Sequence, residues 1–158
     1  MRRGDDYTEM AQLAMTQGLP GEAQSVLDSG IAAGVISSER DKSAAQAILA
    51  TAKTQAAGDR ATLAKQEKDI AAAKTGDPDV KLGLAYLSYG QFPQAVAAIQ
   101  RGIAKGGLKR VTDAEAQLAL GVAQLRAGDK SAASSTFAAV KGDETQLRLA
   151  RLWALRAK

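Results

Sequence analysis

Small and large apolar residues recur in this chain at fixed distances from glycine. Alanine follows five residues after the glycine, and a large apolar residue four further on, at Gly18/Ala23/Leu27, Gly90/Ala95/Ile99 and Gly128/Ala133/Phe137. A spacing of four keeps side chains on one helix face, so each set marks a helix that begins just beyond its glycine. Upstream, Met10-Ala11, Leu82-Gly83 and Leu120-Gly121 stand at matched positions, followed by Ala14, Tyr86 and Gln124. These mark a preceding helix in each case. The pattern predicts repeated helix–turn–helix units, which cannot bury their apolar faces singly and therefore stack.

Start and stop signals agree with that register. Asp6 with Glu9, Thr112 with Glu115, and Asp143 with Gln146 have capping-box spacing. Asp77-Pro78 gives an N-cap followed by proline at the first helical position. First helices are therefore expected near Tyr7, Pro78, Asp113 and Glu144, and second helices near Pro20, Pro93 and Lys130. Gly34 and Gly106 close two near-identical segments and suit left-handed C-caps. From Gly18 to Gly90 is 72 residues, room for one more unit. Residues 39–75 are expected to fill it as a divergent hairpin, with a turn at Gly58-Asp59 mimicking Gly128-Asp129. The alternative is a pair of long alanine-rich helices packed as a cap.

Leu82-Gly83 with Tyr86, then Ala95 and Ile99, resembles the tetratricopeptide repeat, whose pattern runs L-G-x-x-Y and later A-x-x-x-F. The resemblance implies an all-α fold: a short α-α superhelix of antiparallel helix hairpins. A single domain over 5–158 would hold units at about 5–36, 39–75 (divergent), 77–107 and 112–142. Residues 143–158 would form a C-terminal capping helix, with Leu149-Ala150 and Trp153 in the L-G-x-x-Y slots and Trp153 expected in the core. The unit spacing of 38 between Gly90 and Gly128 departs from the usual value of about 34.

In that family, ligands usually dock against inward side chains of the first helices. By resemblance these are Gln12 and Met15 (with Thr8 and Thr16), then Val80, Leu84, Leu87 and Ser88, then Leu118, Val122, Leu125 and Arg126. Such an apolar groove with Arg126 at its edge implies a protein or peptide partner, bound by a scaffold or adaptor. The alternative is a self-associating module, a homodimer through the groove. Inward Lys, Asn and Arg, which hold chaperone carboxylate tails in some family members, are missing from these offsets, so that ligand is not expected. The alanine-rich, irregular style is similar to bacterial repeat proteins, many of them exported, which favours the periplasm over the cytoplasm. No signal peptide is visible, since Gly4-Asp5-Asp6 follows Met1-Arg2-Arg3 where an apolar stretch belongs.

Composition narrows the chemistry. Cysteine and histidine are both absent, which removes disulfides, thiolate sites and histidine bases or ligands. The acid pairs Asp5/Asp6, Asp77/Asp79 and Asp143/Glu144 lie at expected helix starts, where the dipole favours them. No nucleophile elbow, phosphate loop or dinucleotide fingerprint occurs, so neither an enzyme nor a cofactor or metal site is expected. The net charge is +4, but Lys105, Lys109 and Arg110 have no aromatic near them and Arg148, Arg151 and Arg156 have only Trp153, so solvated helix ends, where the dipole favours cations, explain both groups more simply. Nucleic acid is therefore not an expected partner; a nucleic-acid-binding helical repeat is the least favoured alternative. Membrane insertion is not expected either, because no long apolar run occurs.

Overall fold

The structure, a computed structural model, describes residues 4–158; the basic Met1-Arg2-Arg3 start lies outside the described residues. Eight helices and no strands occur among the described residues. They are α1 (Gly4–Thr16), α2 (Pro20–Ala32), α3 (Glu39–Ala71), α4 (Asp77–Ser88), α5 (Phe92–Lys105), α6 (Asp113–Arg126), α7 (Lys130–Ala138) and α8 (Glu144–Arg156). Second helices begin at or within a residue of the expected positions. The marker glycines make the turns before them, with φ of 71° at Gly18 and Gly90 and 91° at Gly128, a conformation that side chains resist. Both capping boxes at Thr112/Glu115 and Asp143/Gln146 form. The Asp6/Glu9 box does not: α1 already starts at Gly4, so Asp6 lies within its first turn.

One expectation is overturned. Residues 39–71 form a single uninterrupted helix of 33 residues, running straight through Gly58-Asp59. The comparison with Gly128 explains why. Beyond Gly128 the chain turns back so that Phe137 closes on Gly121. The same offsets around Gly58 place Glu67 opposite Thr51, which offers no apolar closure. A glycine inside a helix costs only about 1 kcal/mol, so without tertiary contacts to reward a turn the helix continues. Contacts divide the chain within α3 into two compact units, one ending at Lys65 and the other running from Gln66 to Lys158.

In the first unit α1 packs on α2, and the start of α3 joins them. Its core is small: Ala11, Ala14, Ala23, Leu27, Ile36, Ala45 and Ala52. Ala45, Ala52 and Ala56 line one face of α3 at helical spacing.

In the second unit α4 packs on α5, α6 on both α5 and α7, and α8 on both α6 and α7. Closeness is set by residues without side chains. A Cβ on Gly83 would collide with the Ile99 side chain, and one on Gly121 with the Phe137 ring. Beside the α4/α5 contact lies a buried polar cluster. Asp79 is wholly buried and takes Arg101 Nε on one oxygen and Lys105 Nζ on the other, each at 2.5 Å. Lys105 also donates to the carbonyls of Ala71 (2.7 Å) and Ile70 (3.3 Å), satisfying the open end of α3. Glu67 accepts from the Tyr86 hydroxyl at 3.1 Å and faces Arg101 at 4.0 Å. Burial, then this hydrogen bond, raises the Tyr86 hydroxyl's pKa above the ordinary tyrosine value.

Asp77 departs from its expected role. It is the first residue of α4 rather than its cap, and Gly76 precedes it without any side-chain cap. Its carboxylate instead accepts backbone N–H groups of Lys109 (3.0 Å) and Arg110 (3.1 Å), pinning the connection from α5 to α6. Those bonds, from Lys109 first and Arg110 next, hold its pKa below the ordinary aspartate value.

Three outcomes follow. Asp79→Ala should lower stability by about 3 kcal/mol in urea unfolding, because two cations lose their shared counter-charge. Asp77 favours the fold when ionised, so its contribution holds above the unfolded pKa and fades as pH falls through the depressed folded value. Asp77→Asn should therefore show a shallower loss of stability than wild type between neutral pH and about pH 3. Gly58 has open space where a Cβ would sit and no positive φ. Gly58→Ala should raise the unfolding free energy by about 0.5–1 kcal/mol, whereas a turn there would make alanine costly.

Candidate binding surface

The side chains assigned to a groove fall into three groups. Val80 and Leu118 are core and cannot line a surface. Val80 sits against Gly102 of α5, where the missing side chain lets the two helices close over it. Leu118 shares a buried cluster with Ala133 and Phe137 of α7, Ala150 of α8 and Ala157 just beyond it. The repeat offsets failed at these two positions because neighbouring helices pack closely enough to bury them. Met15, Val122 and Leu125 are half-buried, each packed against its unit's core. Leu87 and Ser88 are half-buried too, and the Ser88 hydroxyl is satisfied by the Ala85 carbonyl at 2.8 Å. Gln12, Leu84 and Arg126 are exposed.

Two of the expected residues, Leu125 and Arg126, meet two from α8 that were not assigned to a site. Leu125, Arg126, Trp153 and Arg156 line a shallow pocket of about 240 Å³ in the second unit. Its apolar part is fixed from below. The Trp153 ring stacks on Phe137, with centroids 6.4 Å apart and planes 16° off parallel. Phe137 is in turn held in the gap left by Gly121. Arg156 lies 5.5 Å from the Trp153 ring centroid, a cation–π distance. Arg126 and Arg156 occupy the last turns of α6 and α8, where the helix dipoles favour cations.

Trp153 was expected in the core. It packs there through Phe137 yet remains half-buried, with part of the ring in the pocket. An apolar floor with two guanidinium groups suits an aliphatic or aromatic side chain beside a carboxylate. Sequence reading missed Arg156 because it was taken only as a helix-end charge, though a spacing of three from Trp153 already sets the two on one face.

The Asp79 cluster was also missed, since Asp79 was read with Asp77 as a helix-start acid. A signal was present: positions 80, 82, 83 and 86 around it are all apolar or small. The cluster balances Asp79 and Glu67 against Arg101 and Lys105, and its contacts are structural. In the first unit a wider cleft of about 430 Å³ lies between the starts of α1 and α3. Asp5 and Asp41 offset Arg40 there, and it has no comparable apolar floor. No group of acidic residues able to hold a metal ion occurs among the described residues. Nor is any of their helices long and apolar enough to cross a membrane.

Comparison with protein-family models, curated proteins and solved structures found no match to this chain.

The corrected assignment separates core from surface. Val80→Asp should unfold the second unit or cost more than about 4 kcal/mol, as a buried unpaired charge does. Leu84→Glu should stay within about 0.5 kcal/mol of wild type in the same thermal or urea unfolding measurement.

Proposed function

We propose that the chain is a tetratricopeptide-like helical-repeat module that binds a segment of another protein. The observation that carries this reading is the pocket at Leu125, Arg126, Trp153 and Arg156. It pairs an apolar floor with two exposed cations, and its rigid aromatic is braced by the α7 core. Tryptophan and arginine are the side chains most often responsible for binding energy at protein interfaces. The repeat reading is supported by the recurrence of turn glycines and by the packing of α4 with α5 and α6 with α7. The role is that of a scaffold or adaptor without catalysis of its own.

Selection from a displayed random-peptide library tests the proposal. Peptides enriched on the wild-type chain should combine apolar with acidic residues. They should bind at least tenfold more weakly to the Arg126→Ala/Trp153→Ala variant, once circular dichroism shows that variant folded. Failure to enrich any sequence, or equal binding to both chains, would contradict the reading.

A further inference from the structure

Both α4 and α6 are covered by the helix that follows them in the chain. On α6 that covering is intimate: Phe137 closes on Gly121, and Gln124 accepts from the Thr136 hydroxyl at 2.7 Å. α8 is different. Its inner side, Ala150, Trp153 and Ala154, packs with Ala157 just beyond it on the α6/α7 cluster. Leu152 and Leu155 lie about 200° and 140° around the helix from Ala150, on the opposite side. Leu149, Leu152 and Leu155 are 44, 54 and 63 % exposed. Three leucines in two turns are thus left open on the side facing away from that cluster. Arg148 and Arg156 share this arc, Arg151 edges it, and all three are exposed.

We infer that the Leu149/Leu152/Leu155 arc of α8 seats an amphipathic helix of another protein, one whose apolar stripe is flanked by acidic residues. The inference rests on the repeat-module reading, and it places a second contact beside the proposed pocket. Charge selects the partner. After Glu144, α8 and the residues beyond it carry four cations and no acid. An antiparallel pairing of two copies about Leu152 would set Arg148 against Arg156 of the second copy, like charge on like. The arc is also short. From Leu149 to Leu155 is about 9 Å of helix, the width of one crossing helix and not the extended apolar face of a helix lying in a bilayer.

The test uses the full chain and a fluorescein-labelled synthetic helix of about 18 residues, long enough to hold helical structure. Its leucines fall at positions i, i+3, i+4 and i+7, with glutamates flanking them; a control peptide replaces every glutamate by lysine. Fluorescence anisotropy should show saturable binding of the acidic peptide and at least tenfold weaker binding of the basic one. Leu152→Gln/Leu155→Gln should weaken the acidic peptide at least tenfold. Arg148→Glu/Arg151→Glu should weaken it by a similar factor, more at low salt than at high salt. Both variants alter exposed positions, and circular dichroism melts check that they fold.

Acidic-peptide binding that survives both α8 variants would overturn the inference. If that binding is lost instead in Arg126→Ala/Trp153→Ala, the pocket stands while the α8 seat fails. Two further results would also overturn it: Leu152-dependent binding to phosphatidylglycerol vesicles without peptide binding, or a Leu152-dependent dimer in sedimentation equilibrium.

Discussion

Helices in the second unit come together where a side chain is missing. Gly83 admits Ile99, and Gly121 admits Phe137, each at a distance that even one methyl group would block. Apolar burial is nearly proportional to area, yet dispersion and packing fall off within an ångström of separation. A small residue at the crossing point therefore acts over its whole helix pair. Ala95 and Ala133 serve the same contacts from the opposite helices, both wholly buried. Because Phe137 is fixed in this way, Trp153 has a rigid surface to stack on, and the pocket beside it inherits that rigidity.

Electrostatics then organises what packing leaves open. Lys105 joins the end of α3 to Asp79 on α4, and Arg101 joins the same carboxylate from α5. Three elements are tied at one buried point, where removing any member strands charge. Asp77 works at longer range in sequence, reaching from the start of α4 to the backbone at Lys109 and Arg110. It orders the connection that sets where α6 begins. In the same unit the cations Arg126, Arg148, Arg151 and Arg156 are exposed. The inner polar groups thus hold the unit together, while these arginines stay exposed at its surface.

Much of this was legible in the sequence, for identifiable reasons. Turn glycines, Pro20, Pro93 and the capping pairs at Thr112 and Asp143 are local signals, and local signals set helix boundaries. What failed depended on tertiary contacts. Gly58-Asp59 has the local form of a turn, but Glu67 cannot do what Phe137 does, so α3 runs on. Asp77 has the local form of a cap, yet its partners lie more than thirty residues away at Lys109 and Arg110. Val80 and Leu118 follow the periodicity of a surface stripe, and only the nearness of α5 and α8 makes them core. Of the four residues lining the proposed pocket, the repeat offsets had named Leu125 and Arg126. Trp153 was not, because nothing local distinguishes a half-covered tryptophan from a buried one, and Arg156 went with it although a spacing of three sets the two on one face.

The close crossing of α6 and α7 is the contact on which the second unit depends most. Gly121→Leu places a branched side chain into the Phe137 ring, and its equilibrium urea unfolding measures the consequence. The expected result is a loss of about 1–3 kcal/mol from overpacking, accompanied by a red shift in the emission of the chain's one tryptophan as Trp153 loses its stacked support. Wild-type stability with unchanged emission would contradict it, since α6 and α7 would then not meet where the glycine is.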